Sequence, residues 1–306
     1  LPKFAEVQNA YASLERAKSE DIAKKNFAIL ASGVHMYGPS VPAGAEFVRS
    51  VHWGEERKDD TSWLSYPPAR WATAGRCNRE GSSVFYCADD LGTIFSEQKA
   101  GIKVGAHLGL GLWRTSVPII IVPLGFNIEE AKQAKLIPSD AKYSPAHRRL
   151  HKRINKYFYE KTDLYYPQTQ GISARIKELA YPDHLKHSKH TIICYRSVAY
   201  PSAEKIQVNY VFPTEFIDEA MTLVACEYHR VDEVTDRGIK TSVLKQSRTF
   251  EGNKIIWSDS GTDIHLDAQQ PFLQFTVPAE GQPWDIRDQS GNAVLVPPRK
   301  LELNYE

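Results

Sequence analysis

The run from Glu80 to Glu97, Glu-Gly-Ser-Ser-Val-Phe-Tyr-Cys-Ala-Asp-Asp-Leu-Gly-Thr-Ile-Phe-Ser-Glu, constrains the fold more than any other stretch of the chain. Glu80-Gly81-Ser82-Ser83 reads as a turn and Val84-Phe85-Tyr86-Cys87 as a short buried strand. Asp89-Asp90 supplies the cap of a helix that carries Leu91, Ile94 and Phe95 on one face, with Glu97 off that stripe. A strand that turns directly into a capped helix brings residues of the preceding turn, the strand and the helix to one rim. Arg76, Tyr86 and Glu97 therefore place a guanidinium, a phenol and a carboxylate around a single expected cleft.

The rest of the chain reads as helices at the start and strands at the end. Phe4, Val7, Tyr11 and Leu14 recur at helical spacing, and Ile22, Phe27 and Leu30 continue the stripe, so residues 3–31 form one or two amphipathic helices. Pro39 to Gly44 is a turn-rich linker. The glycines from Gly101 to Gly111 lack both the Gly-Lys-Ser/Thr ending of a phosphate loop and dinucleotide-fingerprint spacing, which leaves loop and strand. Val117–Leu124 is a buried strand and Ile128–Leu136 a short helix. Ser144-Pro145 opens a basic helix over 145–159, with Leu150, Ile154, Tyr157 and Phe158 on its apolar face. His190–Ala199 and Ile206–Phe212 read as strands, followed by a short helix from Thr214. Beyond it, Asp236-Arg237-Gly238, Glu251-Gly252-Asn253, Asp259-Ser260-Gly261 and Ser290-Gly291-Asn292 punctuate short alternating runs, a β-hairpin pattern. The expected fold class is α+β, divided into a helical extension (1–45), a core (46–215) and a β-rich part packed on it (216–306).

Charge and cysteine usage exclude several classes. The 306 residues carry a net charge of +1, which does not suit a binder of bulk polyanions. No apolar run reaches the length of a membrane span and the N-terminus lacks a signal-peptide pattern, so the expectation is a soluble, cytoplasmic protein. Because the chain begins at Leu1, a fragment of a larger effector fits equally. Cys77, Cys87, Cys194 and Cys226 are too scattered for a metal pair and read as small hydrophobes. Cys77, next to Arg76, is the one with a nucleophilic alternative. His184, His187 and His190, three apart among lysines, could ligate a metal but read as surface residues, so no metal is expected. The basic helix reads as a solvated face or one that meets an acidic partner; nucleic acid is the weaker reading.

Several ordered motifs resemble the RES domain, a bacterial family named for an arginine, a glutamate and a serine. Tyr66-Pro67-Pro68 and Ala72-Thr73-Ala74-Gly75-Arg76-Cys77-Asn78 resemble its entry, and the run from Glu80 to Glu97 its centre. Tyr166-Pro167-Gln168-Thr169-Gln170 resembles a later segment. Tyr195-Arg196-Ser197-Val198-Ala199-Tyr200-Pro201-Ser202, with Asn209-Tyr210-Val211 behind it, resembles the family's Tyr-Pro-Ser segment. The resemblance spans residues 47–213. It departs at Arg49-Ser50-Val51-His52, where the family tends to open with two arginines one residue apart, and at Ala203–Gln207, where a glycine-rich step is usual.

The resemblance implies an ADP-ribosyltransferase-like core, an intracellular toxin paired with an antitoxin or immunity protein, and consumption of NAD as substrate with no further cofactor. It assigns Glu97, Tyr86, Arg76 and Ser202 to catalysis, and Arg49, Arg76, Tyr86, Ser202 and Asn209 to substrate binding. Their chemistry suits that role. Forked arginine donors match a pyrophosphate, a phenol offers a flat face to nicotinamide, and an anion beside the ribose stabilises the oxocarbenium ion that forms as nicotinamide departs. The family's members hydrolyse NAD, phosphorolyse it, or transfer ADP-ribose to a protein or small molecule. A different class stands beside these: a non-enzymatic binding protein that uses the basic helix 145–159 or the β-rich C-terminal part.

Overall fold

The computed structural model describes residues 2–32, 38–98, 101–139, 143–160, 163–180, 191–199, 206–235, 238–259, 274–276 and 285–287. In chain order the elements are α1 (Phe4–Glu15), α2 (Glu20–Ala31), β1 (Ser40–Val41), β2 (Glu46–Gly54), β3 (Phe85–Ala88), α3 (Leu91–Gln98), β4 (His107–Thr115), β5 (Ile119–Leu124), α4 (Ile128–Gln133) and α5 (Pro145–Tyr159). There follow α6 (Tyr166–Ala180), β6 (Thr191–Arg196), β7 (Val208–Phe212), α7 (Thr214–Ala220), β8 (Met221–Thr235), β9 (Gly238–Glu251) and β10 (Lys254–Asp259). The fold is α+β, built on one sheet of order β1-β5-β6-β7-β3-β2-β4-β8-β9-β10, antiparallel throughout except between β5 and β6.

The first contact-defined unit, Leu1–Ile264, contains this whole sheet. The expected boundary at 215/216 lies in α7, and the strands after it extend the same sheet, since β4 pairs with β8 from His107↔Arg230 to Thr115↔Met221. In the second unit, His265–Glu306, β11 (Gln274–Thr276) pairs antiparallel with β12 (Asp285–Arg287). The expected strand at 293–296 lies outside the described residues. Among those described, no helix is long and apolar enough to cross a membrane.

Strand alternation assigns the two faces of the sheet. On one face Val122, Ile193, Tyr195, Val211 and Tyr86 pack with Leu14, Phe27, Leu150 and Ile176 of α1, α2, α5 and α6. On the other, Phe85, Tyr210 and Phe212 pack with Phe47, Trp113 and the α7 residues Phe216 and Ile217. Phe47 meets Tyr210 and Phe212 edge-on, each with ring centroids 5.0 Å apart. Full burial of one such ring contributes about 1.5–3 kcal/mol.

At the middle of the sheet, β2 and β3 are joined through a single register pair, Val48↔Ala88. The two halves meet there, and Arg49 of β2, Tyr86 of β3 and Asn209 of the neighbouring β7 lie around this thin junction.

Candidate active site

The β3–α3 turn is set by Asp90, whose Oδ1 accepts from the Thr93 backbone N–H (3.0 Å) and Oδ2 from the Thr93 hydroxyl (2.6 Å). These bonds satisfy an orphan donor at the helix start, as a cap does. Helix α3 then buries Ile94 and sets Phe95 edge-on against His229 of β8, ring centroids 6.3 Å apart. Gln98 donates to the Ser50 carbonyl of β2 at 3.2 Å. With those three residues fixed, Glu97 reaches across the junction to the other half of the sheet.

There its Oε1 accepts from Asn209 Nδ2 and from Ser197 Oγ, both at 2.6 Å. Asn209 lies in β7 opposite Ala88 of β3 on one side and Tyr195 of β6 on the other. Ser197 follows the end of β6, held by its backbone N–H on the Gln207 carbonyl at 2.8 Å. Both donors are buried, at 5 % and 1 % exposure, whereas Glu97 is exposed. Its Oε2 has no hydrogen-bond partner among the described residues, so the carboxylate is oriented by one oxygen and presents the other.

Tyr86 lies two residues before Ala88, on the face that carries Asn209. Its hydroxyl accepts from the Cys77 backbone N–H (3.0 Å) and donates to Asn78 Oδ1 (2.8 Å), and its half-buried ring packs against the core on the helix side of the sheet. Gly75 is required beside it, since a Cβ there would lie 2.7 Å from both Tyr86 Oη and Asn78 Oδ1. Asn78 Nδ2 in turn donates to the Thr73, Arg79 and Ser82 carbonyls, and Gln170 of α6 donates to those of Gly75 and Asn78. The Gly75–Asn78 segment is thereby tied to both the sheet and a helix.

Tyr195 of β6 stands opposite Asn209, on the same face as Tyr86. Burial holds its phenol well above the usual tyrosine range, with Tyr86 and Glu97 adding to the rise and Arg76 opposing it. Its hydroxyl has no hydrogen-bond partner among the described residues. Neither Tyr195 nor Ser197 was singled out by sequence reasoning, although both fall inside the segment that carries the resemblance. Their one signal was position, in the strand that immediately precedes Ser202. Ser202 itself lies outside the described residues, as do His184, His187 and His190.

The two arginines occupy different places. Arg76 donates from Nη1 to the Tyr157 carbonyl (3.3 Å) and from Nη2 to the Glu160 carbonyl (2.6 Å), bracing the C-terminal end of α5. Arg49 belongs to the opposite face of β2, where its guanidinium sits 5.1 Å from the centroid of the Phe85 ring. Its Nε donates to the Ser65 carbonyl (3.0 Å) and Nη1 to the Tyr86 carbonyl (2.8 Å), closing the side of the junction where β2 and β3 separate. Burial lowers its pKa to about 10, with the nearby Cys87 opposing the fall, and it remains a cation at neutral pH. Neither arginine has a carboxylate partner among the described residues. The structure thus brings Glu97, Asn209 and Tyr86 to one face, sets Arg76 at its flank, and reaches Arg49 only through the gap between strands.

Cys77 is buried, its thiol pushed up to about 11 by that burial while Ser173, Lys177 and Arg76 pull the other way. A thiol so placed is a packing group rather than a nucleophile. Under α3, His229 bridges Glu227 Oε2 (2.7 Å) and Thr241 Oγ1 (2.8 Å) in a second polar cluster. His229 and Glu227 are 4 % and 2 % exposed, which makes the cluster a support for the helix rather than a surface that meets substrate. No group of three His, Cys, Asp or Glu residues that could hold a metal occurs among the described residues.

Comparison with family models, with curated proteins and with solved structures finds no match to this chain.

Proposed function

We propose that this chain is an NAD-degrading enzyme of the RES kind, with an ADP-ribosyltransferase-like core, that cleaves the bond between nicotinamide and ribose. The observation that carries the reading is the Glu97 carboxylate, fixed by Asn209 and Ser197 through one oxygen, with no partner for the other among the described residues, on the face of the sheet that carries Tyr86 and Tyr195. In the reaction, the C1′–N bond breaks and its electron pair leaves with neutral nicotinamide. Positive charge then develops on the ribose, where a preoriented anion stabilises the transition state more than the ground state. Water or phosphate adds at C1′ and its proton passes to solvent. Arg76 and Arg49 each keep donors free of the carbonyls they brace, and these serve the pyrophosphate. An antitoxin or immunity protein and a cytoplasmic setting belong to the same reading.

Incubating the purified chain with NAD and following free nicotinamide tests the proposal, and no release above the uncatalysed rate would refute it. Mass analysis of the adenine-containing product then separates ADP-ribose, its phosphorylated form, and a macromolecular adduct.

A further inference from the structure

We propose that the cleft between α4 and α5 binds a phosphorylated small molecule, at a site separate from Glu97. The cavity has a volume of about 510 Å³, within the range of small-ligand pockets. One wall is α5, which presents Arg148, His151, Lys152 and Asn155 at i, i+3, i+4 and i+7, a single helical stripe. The opposite wall is the start of α4, with Asn127, Ile128 and Glu129.

The distribution of ion pairs along α5 separates this stripe from an ordinary solvated face. On the flank toward α1, Arg153 and Lys156 both engage Glu15, the lysine at 2.8 Å. Arg148 and Lys152, which face the cavity, have no carboxylate partner among the described residues. Two cations without an ion-pair partner among the described residues, set against the single Glu129 carboxylate of the opposite wall, favour small anions, and charge-assisted hydrogen bonds to phosphate are their strongest outlet.

The polar groups between them extend the argument. Asn155 donates to the Gly125 carbonyl (3.3 Å) and retains its amide oxygen, while Asn127 accepts from the Glu130 backbone N–H (2.8 Å) and retains its amide N–H groups. One more acceptor and one more donor thus line the cavity. Gly125 follows β5, at φ 72°, where a Cβ would sit 2.3 Å from Phe158 Cβ, and the Asn155 bond ties this wall of the cleft to the carboxyl end of β5. Ile128 gives the ligand an apolar contact, and Glu129, whose nearest cation is Lys132 at 3.8 Å, selects a ligand with a hydroxyl or amino donor beside its phosphate over a bare polyanion. Burial, with some help from His147, lowers the pKa of His151, which keeps the imidazole neutral and able to donate at pH 7.

The experiment titrates inorganic pyrophosphate and adenosine monophosphate into the wild-type chain and into an Arg148→Glu/Lys152→Glu variant by calorimetry, with nicotinamide release and Tm measured alongside. Both changed side chains are exposed, and Arg148→Gln/Lys152→Gln provides a second variant should charge reversal disturb the helix. The expected result is saturable binding that weakens by at least about tenfold in the variants, with Tm and nicotinamide release unchanged. Equal affinity in wild type and variants, or no saturation into the millimolar range, would overturn the site. A single-stranded oligonucleotide that binds more tightly than either probe, with steep salt dependence, would overturn the small-molecule reading in favour of a nucleic-acid surface. Loss of nicotinamide release in the variants would refute the separateness of the cleft, whereas absent release in wild type tests only the proposed activity.

Discussion

Replacing Glu97 with Gln separates charge from shape at the centre of the proposed site. In the folded protein the Glu97 Oε1 accepts two hydrogen bonds at 2.6 Å, from Asn209 Nδ2 and Ser197 Oγ. A glutamine oxygen accepts the same two bonds without the charge. Since Glu97 is exposed, the loss of charge assistance costs stability under about 1 kcal/mol. Glu97→Ala behaves differently, because it strands two buried donors, each at about 1–3 kcal/mol. Glu97→Asp, shorter by one methylene, cannot span the same gap to β7. Catalysis follows the opposite ranking of causes. Removing one preoriented electrostatic stabiliser typically costs on the order of 10² to 10³ in turnover, or about 3–4 kcal/mol at 1.36 kcal/mol per decade. The expected variant is therefore folded, binds NAD with nearly native affinity and releases nicotinamide hundreds of times more slowly (about 10²–10³). Nicotinamide release, NAD affinity and Tm measured on Gln and Ala variants check the reasoning together. Full turnover in Glu97→Gln removes the carboxylate from the chemistry, and a Tm as low as that of the Ala variant makes its role structural.

Three further outcomes follow from the geometry. Gly75→Ala places a methyl group 2.7 Å from Tyr86 Oη and Asn78 Oδ1, so it should cost about 1–3 kcal/mol by chemical denaturation and lower nicotinamide release with it; a native denaturation midpoint refutes the tight approach. All four cysteines are buried, and Cys77, held at about 11, is ionised to about 0.1 % at pH 8. A thiol reagent should accordingly find almost nothing to modify in the native chain at that pH and every cysteine after unfolding, whereas rapid native modification of Cys77 would revive its nucleophilic reading. Reversing Arg148, Arg149 and Lys152 together should leave NAD turnover nearly intact, and a loss comparable with that of a Glu97 variant would place α5 in the active site.

The elements legible in the sequence are those whose determinants are local. Asp90 announces the start of α3 because its carboxylate can meet the Thr93 N–H only if a helix begins there, and Ser144 with Pro145 does the same for α5 through the His147 N–H. The apolar stripes of α1, α2 and α5 are buried at Leu14, Phe27 and Ile154, but Phe4 and Ile22, read as part of the same stripe, are exposed. Strand pairing was not local in this sense. β2 mixes Glu46, Arg49 and His52 with apolar residues, so the turn-rich Pro39–Gly44 marks its start but nothing local names its partners, and the long β8 begins inside what reads as the end of a helix at Met221.

The site shows the same division. Glu97 and Asn209 could be named from a motif, but their 2.6 Å bond depends on β7 pairing with β3, a contact between residues more than a hundred positions apart in the chain. Ser197 could not be preferred over Ser202 without knowing that β6 pairs with β7 through Tyr195↔Asn209, which sets the end of β6 beside Glu97.

Arg49 sharpens what the two-faced junction demands of a substrate. Alternation puts its side chain on the face opposite Asn209, and only the separation of β2 and β3 beyond Val48↔Ala88 lets the guanidinium reach the Tyr86 carbonyl. A ligand that touches both Glu97 and Arg49 must therefore be long enough to follow that gap. NAD has such length; its nicotinamide mononucleotide half lacks the second phosphate and the adenosine. Arg49→Gln should thus act twice. It loses a cation that braces the Ser65 and Tyr86 carbonyls, at a stability cost of about 1–3 kcal/mol, and it should raise KM for NAD by about tenfold or more while changing that for nicotinamide mononucleotide far less. Comparing kcat and KM for the two substrates, at a temperature where the variant is fully folded, distinguishes the effects. Equal penalties on both substrates would confine Arg49 to holding the junction together; a penalty on NAD alone would make the gap between the strands the path of the pyrophosphate.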